Sequence, residues 1–292
     1  MVTVEKIPGR FLTIQAAVNA IGPGSEILIQ LVNSTHVENR VQVNDGRKVT
    51  IESGRNERVT WTGDDPGVWG LLEVRSKSSV TLKNINLTSN RVTRGIWAEN
   101  CTLALYSCLI YDNSRQSYAG VGGFGAGMEC RRCTVTIDNC EIKDNLIHSG
   151  GAQVGCYGGG LFFSDKCTVT ITNSSIHNNK IVNGSLPTLA GFGGGVFFET
   201  SDITLTDTQI YNNVAGAGDA KGGGVYLSNI NSAQFTRCSI ILNSVTGLPA
   251  NKKISVGGGI SFDNSDYKCK FISTTIKDNK NDNETDFFCI TF

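Results

Sequence analysis

Residues 158–179, GGGLFFSDKCTVTITNSSIHNN, carry the hydrophobic pattern from which most of the chain is built. Three glycines precede a short apolar run, LFF; a polar corner, SDK, follows; TVTIT then alternates between polar and apolar positions. Alternation of period two, bounded by Gly, Asn, Asp and Ser, predicts short β-strands. The pattern recurs along the chain. Openings of glycine followed by an apolar strand start at Gly95 (GIWA), Gly125 (GAGMEC), Gly158 (GGGLFF), Gly193 (GGGVFF), Gly222 (GGGVYL) and Gly257 (GGGISF). An Ile/Leu-x-x-Asn element closes at Asn90, Asn113, Asn145, Asn179, Asn213, Asn243 and Asn279, and 15 to 17 residues separate the last glycine of each opening from the Ile that follows. A constant register joined by connections of varying length indicates stacked coils whose insertions leave from one edge.

Ahead of the repeats, Leu12, Ala16, Ala17, Ala20 and Ile21 recur at helical spacing; Thr13 is a suitable N-cap, and Gly22-Pro23-Gly24 stops the pattern. Between residues 40 and 90 come VQV, KVTIES, RVTWTG, LLEV and SVTLKNINLTSN, strands with no helix between them. The prediction is an all-β solenoid of about nine coils with a short N-terminal capping helix. It forms one domain, 1–292: residues 1–38 make the cap and first coil, 39–279 the stacked coils, and 280–292 a C-terminal cap. With coils about 4.8 Å apart, equal positions become ladders of like residues. The Asn column is expected to mark a corner in the left-handed conformation that asparagine tolerates. The glycines are expected to permit turns that a Cβ would obstruct.

Thr13, Ile14, Gln15 and Ala17, then Gly24, Ile27 and Ile29, resemble the opening segment of right-handed parallel β-helix proteins of the pectin-lyase-like superfamily. The paired GG-x-apolar openings and apolar-x-x-Asn endings over residues 95–279 resemble the repeat passengers of chlamydial polymorphic outer membrane proteins. The resemblance implies a right-handed parallel β-helix, an extracellular or cell-surface location, and adhesion, assembly or glycan binding as the class of function. The Phe of that family's F-x-x-N element is mostly Ile in this chain.

Composition and charge narrow the classes further. Thirty-four glycines against 5 prolines suit many tight turns between short strands. Twenty-six basic residues balance 26 acidic ones, which argues against nucleic acid or an anionic membrane surface as a long-range electrostatic partner. No apolar run reaches the length of about 18 residues that a membrane-spanning helix requires, and the N-terminal residues MVTVEKIPGRF lack the apolar core of a secretory signal. The 10 cysteines fall into columns: Cys101, Cys133 and Cys167 share one corner, and Cys108 and Cys140 both lie two residues before a ladder Ile. Such positions on neighbouring coils come within disulfide range. Cys108 with Cys140, and Cys101 with Cys133, are therefore disulfide candidates, with stacked free thiols as the alternative. Cys130 and Cys133 form a lone CxxC without the second half of a zinc site, and no metal or cofactor is expected.

Alternation also indicates where chemistry would sit. In the strand after each glycine opening, Ile96, Leu161, Val196, Val225 and Ile260 share the core face, and the next residue points outward. In successive coils that outward position is Trp97, Glu129, Phe162, Phe197, Tyr226 and Ser261. An aromatic column on an outer face is open to two readings. Either the long loops after each Asn column fold over it, or Trp97, Glu129, Phe162, Phe197 and Tyr226 form a binding surface for a glycan or another surface protein. An uncovered solenoid end would also allow end-to-end self-assembly. An enzyme of the resembled superfamily would need clustered acids and bases. The chain has no Gly-His-Gly, His36, His148 and His177 are scattered in sequence, and Asp64-Asp65 is explained by its turn, GDDPG. No catalytic residue is assigned. The expected function is non-enzymatic adhesion, assembly or glycan binding, and the alternative is a polysaccharide lyase or hydrolase.

Overall fold

The computed structural model describes residues 3–66, 69–117, 122–148, 155–182, 190–216, 220–246, 257–263, 268–281 and 290–291. Their strands are short and run mostly three to six residues. Apart from the last, Ile290–Thr291, the strands pair in parallel with the equivalent strands of neighbouring coils, so three long sheets wrap one core. The first sheet stacks ten strands, from Thr3–Ile7 to Cys269–Ile272, the second stacks eight, from Val41–Val43 to Ile260–Asp263, and the third ten, from Thr35–Val37 to Ile290–Thr291. This is a parallel β-helix. Six coils contribute the glycine-opened strand to the second sheet, from Ile96–Glu99 to Ile260–Asp263. The fully regular repeat is thus shorter than the expected nine coils, because the N-terminal coils lie below the Asn ladder.

The core follows directly from alternation. In the first sheet Val80, Leu103, Val135, Val169 and Ile203 stack in register, as do Leu82, Leu105, Ile137, Ile171 and Leu205. The third sheet contributes Ile110, Ile142, Ile176, Ile210 and Ile240, one above another. All of these are buried. Each fully buried Val, Leu or Ile is worth about 1.5–3 kcal/mol relative to exposure, so a two-residue alternation repeated over many coils stabilises a core only one side chain deep from each wall.

The ends differ from the expectation in detail. The helix spans Ile14–Asn19 and is capped by Thr13, whose Oγ1 accepts from Ala16 N, but its buried face is Ile14, Ala17 and Val18. Leu12 is exposed. The Glu38 carboxylate, one coil on, accepts from Ile14 N at 2.7 Å and Gln15 N at 2.9 Å, satisfying helix-end donors and placing negative charge at the positive helix end. A strand not anticipated, Thr3–Ile7, precedes the helix and pairs with Glu26–Leu31. At the other end Ile290–Thr291 pairs antiparallel with Thr275–Lys277; Phe287 and Phe288 lie outside the described residues.

The Asn column forms one continuous ladder with a different geometry from that expected. Asn113, Asn145, Asn179, Asn213, Asn243 and Asn279 are buried, and from Asn145 onward each Oδ1 accepts both the backbone N and the Nδ2 of the Asn one coil earlier, as Asn179 Oδ1 does from Asn145 at 3.1 and 2.9 Å. The Nδ2 also reaches a carbonyl oxygen of the earlier coil, Ile110 for Asn145 and Ile142 for Asn179. Asn90 is not a member. Ser89 N donates to Asn113 Oδ1 in its place, and Asn90 is an exposed corner residue at φ 51°. The left-handed residue of each bend is the one before the ladder Asn: Asp112, Asp144, Asn178, Asn212, Leu242 and Asp278, with φ between 48° and 57°. The ladder residue itself turns inward to bond.

Glycine openings and Asn endings recur together because they touch. A Cβ on Gly160 would stand 2.8 Å from Asn179 Cγ and 2.8 Å from Gly195 O, and Gly195 meets Asn213 in the same way. The first glycine of the triplet is needed for its conformation. Gly193 has φ 69°, and a Cβ there would stand 2.3 Å from Val196 O.

Candidate functional site

The predicted binding residues do form one column on the outer face of the second sheet, in the order Gln42, Glu73, Trp97, Glu129, Phe162, Phe197, Tyr226, Ser261. They are not a solvent-facing surface. Trp97, Glu129, Phe162, Phe197 and Tyr226 are all buried, from 2% to 8% exposed, which corrects the reading of these five as an open platform. A second aromatic layer covers them. The strands Gly123–Phe124, Cys156–Tyr157 and Gly191–Phe192 form a small three-stranded sheet of their own. Their rings stack at 5.3 and 5.4 Å and pack edge-on against Phe162 and Phe197. Phe162, Phe197 and Tyr226 stack beneath at 5.2 and 5.4 Å. Rings stacked along the coil axis turn edges outward and spend their faces on one another. A sugar, which packs on a ring face, finds none free along this column.

The N-terminal half of the same face is charged. Glu73 and Glu129, in the outward column on either side of Trp97, each begin a Glu-x-Arg sequence that places Arg131 at the end of its strand and Arg75 one residue past the end of Leu72–Val74. Arg131 Nε lies 2.8 Å from Glu129 Oε1, and its guanidinium lies over Phe124 and Phe162. Arg75 Nη2 lies 3.6 Å from Glu73 Oε2, with its guanidinium 4.2 Å from the Trp97 ring centroid. Each arginine thus holds a glutamate and caps the aromatic ring of the next coil. Second arginines complete the pairs. Arg40 contacts both carboxylate oxygens of Glu73 at 3.0 Å. Arg94 reaches Glu129 Oε2 at 2.5 Å and donates to the Phe124, Gly125 and Trp69 carbonyl oxygens. Burial lowers the Arg94 pKa to about 10, and Glu129 opposes the shift.

Glu73 and Glu129 are therefore inaccessible and neutralised. A carboxylate that serves as acid, base or nucleophile must reach its substrate, and neither does. What this end presents outward is Trp69, 50% exposed, its ring 6.0 Å from that of Trp97, with Arg115 5.7 Å from the Trp69 centroid. The Nε atoms of Arg75 and Arg115 are buried without a hydrogen-bond partner among the described residues. Sequence reasoning missed Trp69 and these arginines because only Arg75 and Arg131 follow a repeat, the Glu-x-Arg spacing, which was available as a signal.

The cysteine candidates are stacked free thiols, and neither predicted pair is bonded. Cys101 and Cys133 approach with Sγ atoms 3.4 Å apart, whereas Cys108 N donates to Cys140 Sγ at 3.3 Å. Hydrogen bonding to Cys133 and burial push the Cys101 thiol up. The Cys108 column has its own logic. Its members are Cys108, Cys140, Ser174, Thr208, Cys238 and Thr274, each following a left-handed residue. Cys140 N donates to Ser174 Oγ and Cys238 N to Thr274 Oγ1, so the slot requires a short side chain with an acceptor at γ. Among the described residues no three His, Cys, Asp or Glu side chains are grouped to hold a metal ion, and no helix is long and apolar enough to cross a membrane.

The profile of the family described as "Right handed beta helix region" matches residues 20–188 and 74–285. No curated protein sequence matches the chain. Among solved structures, a pectin methylesterase from Aspergillus niger aligns at a TM-score of 0.46 and 14% identity, over 97% of this chain and 87% of that one. Pectate lyase Pel9A aligns at 0.41 and 15%, over 97% and 78%, and ORF18 of Geobacillus virus E2 at 0.38 and 11%, over 93% and 58%. With most of its length covered by the family profile and its strands wound as described above, the chain belongs to the right-handed β-helix family.

Proposed function

We propose that this is a non-enzymatic, extracellular or cell-surface β-helix protein that holds an acidic glycan on the arginine and tryptophan end of its second sheet. The observation that carries the reading is that the two carboxylates of the outward column, Glu73 and Glu129, are buried and each is paired with two arginines, while Glu99 at the end of the Trp97 strand is paired with Arg132. Five arginines (Arg40, Arg75, Arg94, Arg115, Arg131) stand against those two glutamates, a local balance of 5 − 2 = +3 on a chain of zero net charge. A guanidinium matches a carboxylate or sulfate in geometry as well as charge, and Trp69 supplies an exposed indole for a pyranose ring. The likeness of the repeats to surface-protein passengers supports the location.

The test is equilibrium binding of acidic and neutral oligosaccharides with product analysis on the same samples. Oligogalacturonate should bind, weaken with added salt, lose at least about tenfold in affinity with Arg75→Ala or Trp69→Ala, and be recovered uncut. An ion-paired hydrogen bond of about 1.5–3 kcal/mol sets that scale. Cleavage of the oligogalacturonate would instead favour the polysaccharide lyase or hydrolase alternative, and the absence of binding would remove the reading altogether.

A further inference from the structure

A concavity lies on a different wall, at the corner where the first sheet turns into the third. It encloses about 380 Å³ and is lined by two columns of polar side chains, Asn139, Asn173 and Asp207 at the corner and Glu141, Ser175 and Gln209 at the start of the third-sheet strands, with Tyr211 at one side and Arg58 contributing from an earlier coil. Glu141, Ser175 and Gln209 are register partners on successive coils, as are Lys143, His177 and Tyr211. The groove therefore extends over three coils, roughly 10 Å along the axis, about the length of a disaccharide.

We propose that this groove binds a neutral, hydroxyl-rich ligand, a short stretch of uncharged glycan. Its carboxylates are already committed. Glu141 accepts from His177 Nε2 at 2.9 Å and pairs with Lys143 Nζ at 3.1 Å, and Asp207 is held by two nitrogens of Arg237 at 2.7 and 2.6 Å. Burial pushes the Glu141 carboxyl up, but His177 and Lys143 together hold it below its usual range, and Arg237 does the same to Asp207. Both stay ionised, and neither serves as the protonated acid that glycosidic cleavage needs. Apart from Arg58, an exposed cation at the edge of the groove with no ion pair among the described residues, the groups left for a ligand are neutral. The side-chain amide of Gln209 and the hydroxyl of Ser175 have no hydrogen-bond partner among the described residues. Asn139 and Asn173 use their Nδ2 on Ser107 and Asp138, leaving each Oδ1 as an acceptor. Adjacent planar amides and hydroxyls are the groups that meet vicinal sugar hydroxyls with paired donors and acceptors.

The aromatic element is preorganised. The Tyr211 ring stacks on His177 with centroids 4.5 Å apart and planes 6° from parallel, and His177, which is buried, is fixed through Glu141. Tyr211 is thus held flat without help from a ligand, which lowers the ordering cost of binding.

The inference is independent of the acidic-glycan reading, since it uses another wall and uncharged chemistry. Cello-, xylo- and manno-oligosaccharides are titrated into the intact protein by calorimetry, with Gln209→Ala, Tyr211→Ala and Arg75→Ala compared and thermal unfolding recorded for each. At least one series should bind with an affinity insensitive to salt. Gln209→Ala and Tyr211→Ala should each weaken it about tenfold or more at unchanged melting temperature, and Arg75→Ala should leave it unchanged. Absence of binding throughout the three series at millimolar sugar, or binding indifferent to both groove substitutions, overturns the proposal. Gln209 is exposed and makes no side-chain hydrogen bond among the described residues, so its variant keeps the test decisive if Tyr211→Ala folds poorly.

Discussion

A buried asparagine amide is costly unless every donor and acceptor is met, and the interior of the ladder meets them by repetition. Asn179 Oδ1 accepts two hydrogen bonds, from the backbone and side chain of Asn145, and its own N and Nδ2 donate to Asn213 Oδ1. Asn179→Ala should therefore strand buried donors on Asn145 and destabilise the protein by about 2–4 kcal/mol, at about 1–3 kcal/mol per unmet group. Asn90→Gly, at the exposed corner whose φ of 51° glycine adopts without strain, should change stability by less than about 1 kcal/mol. Equilibrium denaturant unfolding of the two variants checks this, and equal effects would contradict the ladder as described. The Asn period was plain in the sequence. The residue in the left-handed conformation was not, because that slot holds Asp, Asn and even Leu242, so no single letter marks it.

At the scale of a strand or corner, the chemistry of a column matters more than its letters. The slot shared by Cys108, Cys140, Ser174 and Thr208 asks for a γ acceptor, which is why a disulfide reading of its cysteines failed: the sulfur is positioned to receive an N–H. Cys140→Ser should unfold within about 0.5 kcal/mol of the parent, while Cys140→Ala, which leaves Cys108 N–H unmet, should cost about 1–3 kcal/mol. Comparable losses for both would count against the slot.

The outward aromatic column was legible from alternation, but its cover was not, because strands of two residues are too short to show a period. A weaker mark did exist: Phe124, Tyr157 and Phe192 each stand immediately before an opening glycine. The cover has a titratable consequence. Burial pushes the Tyr226 hydroxyl up to about 12. The unfolded chain releases this proton near pH 10 and the folded chain does not, so the stability linked to Tyr226 is present below pH 10 and is lost as pH rises from 10 to 12. Unfolding midpoints measured across that window should fall more steeply for the parent than for Tyr226→Phe, and coincident slopes would contradict the burial.

Over the whole molecule, a chain of zero net charge segregates its polar chemistry by wall. The second sheet pairs arginines with buried glutamates around Trp97, and the corner between the first and third sheets keeps neutral amides beside committed carboxylates. Neither arrangement could be read whole from local motifs: the Glu-x-Arg spacing marks Arg75 and Arg131, but the other partners come from neighbouring coils whose spacing in sequence varies with the loops. His177 and Glu141 are 36 positions apart and in hydrogen-bond contact. The fold needed only period and register, which the repeats display openly. The measurement that bears most directly on the proposed function is a crystal structure of the protein grown with an acidic trisaccharide. The account predicts an intact sugar with a carboxylate against Arg75 or Arg115 and a ring on Trp69; a sugar cut at its glycosidic bond, or one seated away from these residues, would contradict it.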